Sequence, residues 1–175
     1  MRKAFAVCLF VLVFFTSQPV HAETKSPDFL HVQSELQSVL TMLSDNLNRF
    51  EYLQKQLQSS GKDNKSYDEY KNIWLSTILA INAISSICEY ENDLLTLFMD
   101  LKEKRRVHYI EVRIKSLENS VQQIAIMDEQ IQINLKLMPP DLTEISLFDM
   151  LKQNIDSSIN LLKKSRRLIL QLKQK

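Results

Sequence analysis

Few residues in this chain have the type and spacing that metal binding requires. His31 and His108 stand three residues after Asp28 and Arg105. The Glu-x-x-His pairs of di-iron helical bundles are therefore absent. Asp28 and His31 could supply two ligands, but Asp28 falls in the first turn of a predicted helix, where a carboxylate complements the helix dipole. The sequence therefore predicts no metal and no cofactor.

A catalytic nucleophile is equally hard to find. Gly61 is the only glycine in 175 residues, and phosphate-binding loops and nucleophile elbows need glycine where the backbone turns sharply or approaches a ligand. Cys88 lies in an apolar stretch, where a cysteine behaves as a small buried hydrophobe. Carboxylates such as Glu89 and Glu91 are expected on solvated helix faces, away from any cleft. We expect a protein that is not an enzyme.

Two clusters of basic residues are candidate contacts for a partner or an anionic membrane surface. One follows the apolar run that ends at Leu101, and the other lies in the C-terminal segment, which has no acidic residue after Asp156. Cations interleaved with Leu and Ile could lie on anionic lipid or hold an acidic protein, and cations also complement the C-terminus of a helix. The candidates are Lys102, Arg105, Arg106, Lys163, Lys164, Arg166, Arg167 and Lys173. Nucleic acid binding is not expected, because these basic runs contain no aromatic residues.

Aromatic residues gather on both sides of Gly61. They include Phe50 and Tyr52 before it and Tyr67, Tyr70 and Trp74 after it. Two antiparallel helices joined at Gly61 would bring these side chains together beside the turn. Core packing is the favoured interpretation. The alternative is a tip at which Tyr67, Tyr70 and Trp74 bind a ligand or a partner.

The first 22 residues have the pattern of a cleavable secretory signal peptide. Arg2 and Lys3 precede an uncharged apolar run over residues 4–15, and small residues precede Glu23 at the cleavage position. The run is too short to span a membrane. We therefore expect an exported protein with one domain over residues 23–175, located in the periplasm of a Gram-negative bacterium or otherwise secreted.

Four segments of about equal length show helical periodicity. They cover residues 27–60, 67–101, 105–138 and 142–174, and each would be about 50 Å long. Pro27 suits the first turn of a helix, Gly61 suits a helix stop, Ser66 and Glu69 would form a capping box, and Pro139 disfavours helix before it. The chain is therefore predicted to be all-α.

The arrangement of these helices has two solutions. Residues 67–138 contain neither Gly nor Pro, but the alternation of three- and four-residue steps between apolar positions breaks at the charged run 102–106. An antiparallel four-helix bundle is favoured, because the apolar stripe over residues 73–101 is wide enough for several neighbours, with Leu79 assigned to it and Val107 to the core seam of the next segment. The alternative is one central helix of about 70 residues at 67–138 with a shorter helix packed on each half.

Charge is distributed unevenly along the chain. Residues 23–100 contain 6 basic and 12 acidic residues, and residues 101–175 contain 14 basic and 9 acidic residues. Pairing of acidic with basic helices inside the bundle is the favoured explanation. Head-to-tail association of chains is the other, so a homo-oligomer is a candidate state.

Taken together, these patterns favour a noncatalytic exported protein that binds another protein through long amphipathic helix surfaces. It would act as an adaptor, an assembly factor or a structural component, with a partner of unknown identity. Two alternatives stay open: a helical bundle that binds or senses a small ligand, and an envelope chaperone.

Overall fold

The computed structural model describes residues 27–59, 65–138 and 145–173, which form four long helices. These are α1 Pro27–Ser59, α2 Lys65–Asp100, α3 Glu103–Leu137 and α4 Ile145–Lys173. Each helix packs along the next, and α4 also packs along α1, so that α1 lies diagonally opposite α3 and α2 opposite α4. The predicted four-helix bundle is confirmed, and the continuous central helix is excluded. The predicted signal peptide over residues 1–22, Gly61 and residues 139–144, which include the predicted connection between the last two helices, lie outside the described residues.

The chain reverses between α2 and α3 without a glycine. Lys102 is extended, with φ −60° and ψ 145°. Arg106 then folds back over the end of α2, and its Nη2 donates to the carbonyl oxygens of Leu101 at 2.8 Å and Met99 at 3.3 Å. Carbonyls at a helix C-terminus lack intrahelical donors and carry partial negative charge, so a guanidinium stabilises the turn. This is why the charged run 102–106 marks the reversal although it contains no typical turn residue.

Helix ends elsewhere follow their local sequence. Pro27 opens α1 and Asp28 lies in its first turn. Met138 is extended at ψ 140°, as expected before Pro139, and its N–H bonds to carbonyls of the last turn of α3. α2 begins at Lys65, one residue before the predicted cap Ser66, and the side chains of the predicted capping box lie outside the described part of the structure.

A continuous hydrophobic core follows the bundle axis. Its members recur every three or four residues, which places them on the inward face of each helix. The fully buried apolar residues include Val32, Leu36, Leu43, Phe50, Trp74, Ile81, Ile84, Cys88, Leu95, Leu117, Ile124, Ile131, Leu147, Leu151, Ile155, Leu162 and Ile169.

Two residues predicted for the core are instead exposed. Leu79 is 58% exposed and Val107 is 60% exposed. Leu79 lies at the outer edge of the wide apolar stripe of α2, beyond the part that its neighbours cover. Val107 lies one turn of α3 before Glu111, which pairs with Lys173 at the described end of α4, so no described part of α4 packs beside it.

Candidate protein-binding surfaces

Three of the five candidate cations on α4 form ion pairs with carboxylates on the helices beside it. Lys164 Nζ lies 3.2 Å from Glu35 Oε2 of α1. Arg166 Nε donates to Glu118 Oε1 of α3 at 2.8 Å. The third pair joins Lys173 to Glu111 of α3 and lowers the pKa of that carboxyl through the hydrogen bond and the charge of the ammonium. Solvent screens exposed ion pairs such as these, so they orient side chains more than they stabilise the fold.

The other two candidate cations of α4 lie exposed at the surface. Lys163 and Arg167 are exposed, and neither has an ion pair within the described residues. Together with Arg166 they line a groove of about 410 Å³ between α3 and α4, completed by Glu118 and Val121. The structure therefore brings three of the predicted basic residues together.

The second basic cluster lies at the α2–α3 turn. Lys102 and Arg105 are exposed at this end of the bundle, whereas Arg106 is half-buried. Arg106 binds the carbonyls that end α2, so its role in the fold is local.

The predicted aromatic group separates into a core part and a surface part. Trp74 is 1% exposed; its ring centroid lies 5.5 Å from that of Phe50, which in turn meets Phe148 edge-on at 5.0 Å. Tyr70 is half-buried, and the side chain of Tyr67 lies outside the described part of the structure. Trp74 of α2 thus packs on α1 inside the core, and Phe50 extends this aromatic group to α4.

A buried ion pair lies in the interface between α2 and α3. Glu91 Oε2 is 2.7 Å from Arg113 Nη1, and the side chains are 0% and 6% exposed. Glu91 Oε1 also accepts hydrogen bonds from Ser116 at 2.8 Å and Ser120 at 2.6 Å. The expectation that Glu91 lies on a solvated face is wrong. Glu91 lies three residues after the buried Cys88. That spacing continues the core seam of α2 and indicates that Glu91 is buried.

A second buried polar contact lies farther along the same interface. Asn134 Nδ2 of α3 donates to Thr77 Oγ1 at 3.0 Å and to Ser76 Oγ at 3.3 Å on α2. Buried polar pairs that lose their partners when helices slide favour one register over others. The two contacts therefore align α2 and α3 with each other along most of their length.

Cys88 lies next to this ion pair on the inner face of α2. Burial raises the pKa of its thiol, a hydrogen bond with Ser158 opposes this, and the charge of Glu91 raises it further. A thiol that is protonated and buried is a poor nucleophile.

We expect Cys88 of the folded protein to resist a thiol reagent at pH 8.5 and to react fully in concentrated urea. Because its pKa is raised from the ordinary value of 9.0, the unfolded chain releases this proton first as the pH rises. The contribution of this thiol to the free energy of unfolding should therefore decrease above about pH 9. The measurement is the alkylation rate followed by mass spectrometry. Native labelling as fast as labelling in urea would contradict the buried geometry.

Exposed apolar side chains concentrate on one side of the bundle. Of the fourteen large apolar residues that are exposed in the described part of the chain, ten lie on α2 or α3. Seven of them define a surface that we call the α2/α3 face: Tyr90, Leu97, Tyr109, Val112, Ile126, Ile133 and Leu137. Leu75 and Leu79 share seven-residue rows with Glu89 and Asp93, which lie beside α1.

Helical spacing places these residues along the groove between the two helices. Tyr109 and Leu137 share a seven-residue row with Ser116, which bonds to α2. Tyr90 and Leu97 share such a row with Ser76, which Asn134 of α3 contacts. Both rows therefore border the α2–α3 interface. Outside them, Val112, Ile126 and Ile133 recur at multiples of seven on α3, with Asn119 in the same row.

The apolar character of α2 also appears in its overall hydropathy. Among the described residues, the stretch Tyr70–Asp100 is, by length and composition alone, long and apolar enough to cross a membrane. One third of this stretch is buried inside the bundle. Core helices of folded domains meet the same criterion, and here the apolar residues divide between the core and the surface.

Comparison with protein-family models, with curated proteins and with solved structures finds no match for the chain.

Proposed function

We propose that this is a noncatalytic exported protein that binds an amphipathic helix of another protein along its α2/α3 face. In this role it acts as an adaptor, an assembly factor or a structural component. The exposed apolar rows on α2 and α3 carry the proposal. Val112, Ile126 and Ile133 are 64%, 60% and 46% exposed, although their spacing is that of a helix-packing seam.

Physical chemistry favours a helix as the occupant of this face. Exposed groups of large apolar side chains on folded proteins commonly mark interaction sites. A groove between two parallel rows of side chains, about 50 Å long, matches the apolar stripe of a helix, which docks through residues at i, i+3, i+4 and i+7. Asn119 within the outer row would favour one register of the docked helix, as a polar residue in a coiled-coil seam does.

The residues that could otherwise do chemistry are engaged in the fold. Glu91 and Arg113 neutralise each other in the core, Arg106 binds backbone carbonyls, and the Cys88 thiol is buried. Export is supported by the composition of residues 1–22. Both observations favour a binding role outside the cytoplasm.

Recovery of a partner from envelope extract tests the proposal when matched variants are compared. We expect Ile126→Lys and Ile133→Lys to reduce recovery of the partner at least about tenfold, because each replaces a buried apolar contact by a charge. Met42→Lys is the control, since Met42 is 45% exposed on α1 and lies outside the face. The free energy of unfolding of each of the three variants should lie within about 0.5 kcal/mol of that of the unsubstituted protein. Equal recovery with all three variants would contradict the proposal.

A further inference from the structure

The bundle has an acidic side and a basic side that lie opposite each other. Because the helices form a ring, the face made by α1 and α2 is across the bundle axis from the face made by α3 and α4. The uneven charge of the sequence follows this division. The ion pair Glu91–Arg113 and the pair Glu35–Lys164 join the two sides, but three other pairs lie between α3 and α4. On the acidic side, Asp45, Glu89 and Asp93 have no ion pair with any of the described residues.

The acidic side contains a groove of about 390 Å³ between α1 and α2. Asp45, Glu89 and Asp93 line it, are exposed, and have no ion pair within the described residues. The sequence places no lysine or arginine in residues 27–48 or 72–100. The remaining lining residues are neutral, and the side-chain oxygen of one of them, Asn92, is buried without a hydrogen-bond donor from the described residues.

The basic side carries the groove between α3 and α4 described above. Glu118 neutralises Arg166 there, which leaves Lys163 and Arg167 free to meet external carboxylates. Two free cations on one side thus correspond to three free carboxylates on the other.

The two grooves also lie at nearly the same height on the bundle. Glu91 is level with Ser116 and Ser120, and Glu118 is level with Arg166, as their hydrogen bonds show. Counting 1.5 Å per residue from these pairs and from Glu35–Lys164 places the centres of the grooves within about 10 Å of each other along the axis. Two copies in the same orientation can therefore bring unlike grooves into contact by moving sideways.

We propose that the protein assembles side by side with further copies of itself, the acidic α1/α2 groove of one copy meeting the basic α3/α4 groove of the next. A face of two helices measures about 50 by 20 Å, which is enough for the ~800 Å² per partner that stable interfaces bury. Such a contact is heterologous, so each copy keeps one unused face of each kind and the assembly is open. The α2/α3 face stays uncovered in every copy, and the proposal does not depend on what binds there.

Sedimentation velocity at two salt concentrations tests the assembly. The weight-average mass of the purified protein should rise with concentration at about 20 mM salt and fall to that of a monomer at about 0.5 M, because screening weakens exposed pairs. A mass that stays monomeric at low salt at every concentration would overturn the proposal.

Neutralising variants give the sharper test. Lys163→Ser with Arg167→Ser removes the basic groove, and Asp45→Asn with Glu89→Gln and Asp93→Asn removes the acidic one. Each variant alone should associate at least about tenfold more weakly, but a mixture of the two should form a 1:1 dimer and nothing larger, since each contributes one intact face. Lys102→Ser with Arg105→Ser removes the same charge from the end of the bundle and should leave assembly unchanged.

Two outcomes contradict the pairing of grooves. One is a mixture of the neutralised variants that remains monomeric. The other is a protein that is monomeric at low salt but binds vesicles containing anionic phospholipid. If Lys163→Ser with Arg167→Ser abolishes that binding, the basic groove binds a lipid surface and not a second copy.

Discussion

Replacing Arg113 by methionine is expected to lower the free energy of unfolding by about 3–5 kcal/mol. The substitution removes the cation that compensates the Glu91 carboxylate, whose side chain is 0% exposed. The hydrogen bonds from Ser116 and Ser120 remain, but they cannot replace a full positive charge in a medium of low dielectric constant. Urea denaturation followed by circular dichroism measures the change.

Two comparisons isolate the role of the charge. The double substitution Glu91→Leu with Arg113→Met removes both ions together, and it should restore most of the lost stability or exceed that of the unsubstituted protein. Lys115→Met removes an exposed cation from the same helix and should change the free energy of unfolding by no more than about 0.5 kcal/mol. If Arg113→Met lowers the free energy of unfolding by no more than Lys115→Met does, the ion pair is not buried in the way described.

Trp74→Ala is expected to destabilise the bundle by about 3–5 kcal/mol as well, since it opens a large cavity where three helices meet. The Trp74 ring packs on Phe50, and Phe50 packs on Phe148, so the loss affects contacts of α1, α2 and α4. The same urea denaturation experiment measures this change, with the denaturant slope used to check that the compactness of the folded state is retained.

Neighbouring substitutions serve as controls for Trp74. Trp74→Phe keeps an aromatic ring against Phe50, so it should lower the free energy of unfolding clearly less than Trp74→Ala does. Leu75→Ala alters the adjacent residue, which is 48% exposed, and should cost no more than about 0.5 kcal/mol. A small effect of Trp74→Ala would mean that this tryptophan belongs to an exposed tip, as the alternative interpretation of the aromatic group held.

Periodicity was sufficient to predict the four helices and most of the core. The seven-residue recurrence of Phe29, Leu36, Leu43 and Phe50 places one face of α1 inward, and all four are buried. Proline marked the start of α1 and the end of α3 within one residue. Signals of this kind depend only on the local chain, so one sequence is enough to find them.

The reversal at Lys102 could not be decided from the sequence. It depends on Arg106 binding carbonyls of the preceding helix, and an arginine in a charged run has no sequence feature that distinguishes this role from solvation. An extended residue such as Lys102 likewise needs no glycine. The choice between a bundle and a long helix therefore required tertiary contacts.

The buried polar residues were missed although their positions were informative. Glu91, Arg113, Ser120 and Asn134 are buried among apolar residues at seam positions of α2 and α3. Their spacing continues the apolar seams and indicates burial, although charged and polar residue types ordinarily lie at the surface. By contrast, the composition of α2 does not show which of its apolar residues are buried, because hydropathy alone does not separate core residues from exposed ones.

Site-specific photo-crosslinking in intact cells tests the central claim that the α2/α3 face binds a partner helix. A photoreactive residue would replace Ile126 or Ile133 in turn, with the exposed Met42 of α1 as the matched control position. We expect crosslinks from both α3 positions to one partner, at partner residues spaced three or four apart on a helix, and none from position 42. Crosslinks to that partner from position 42 alone, or an equal yield from all three positions, would contradict the account.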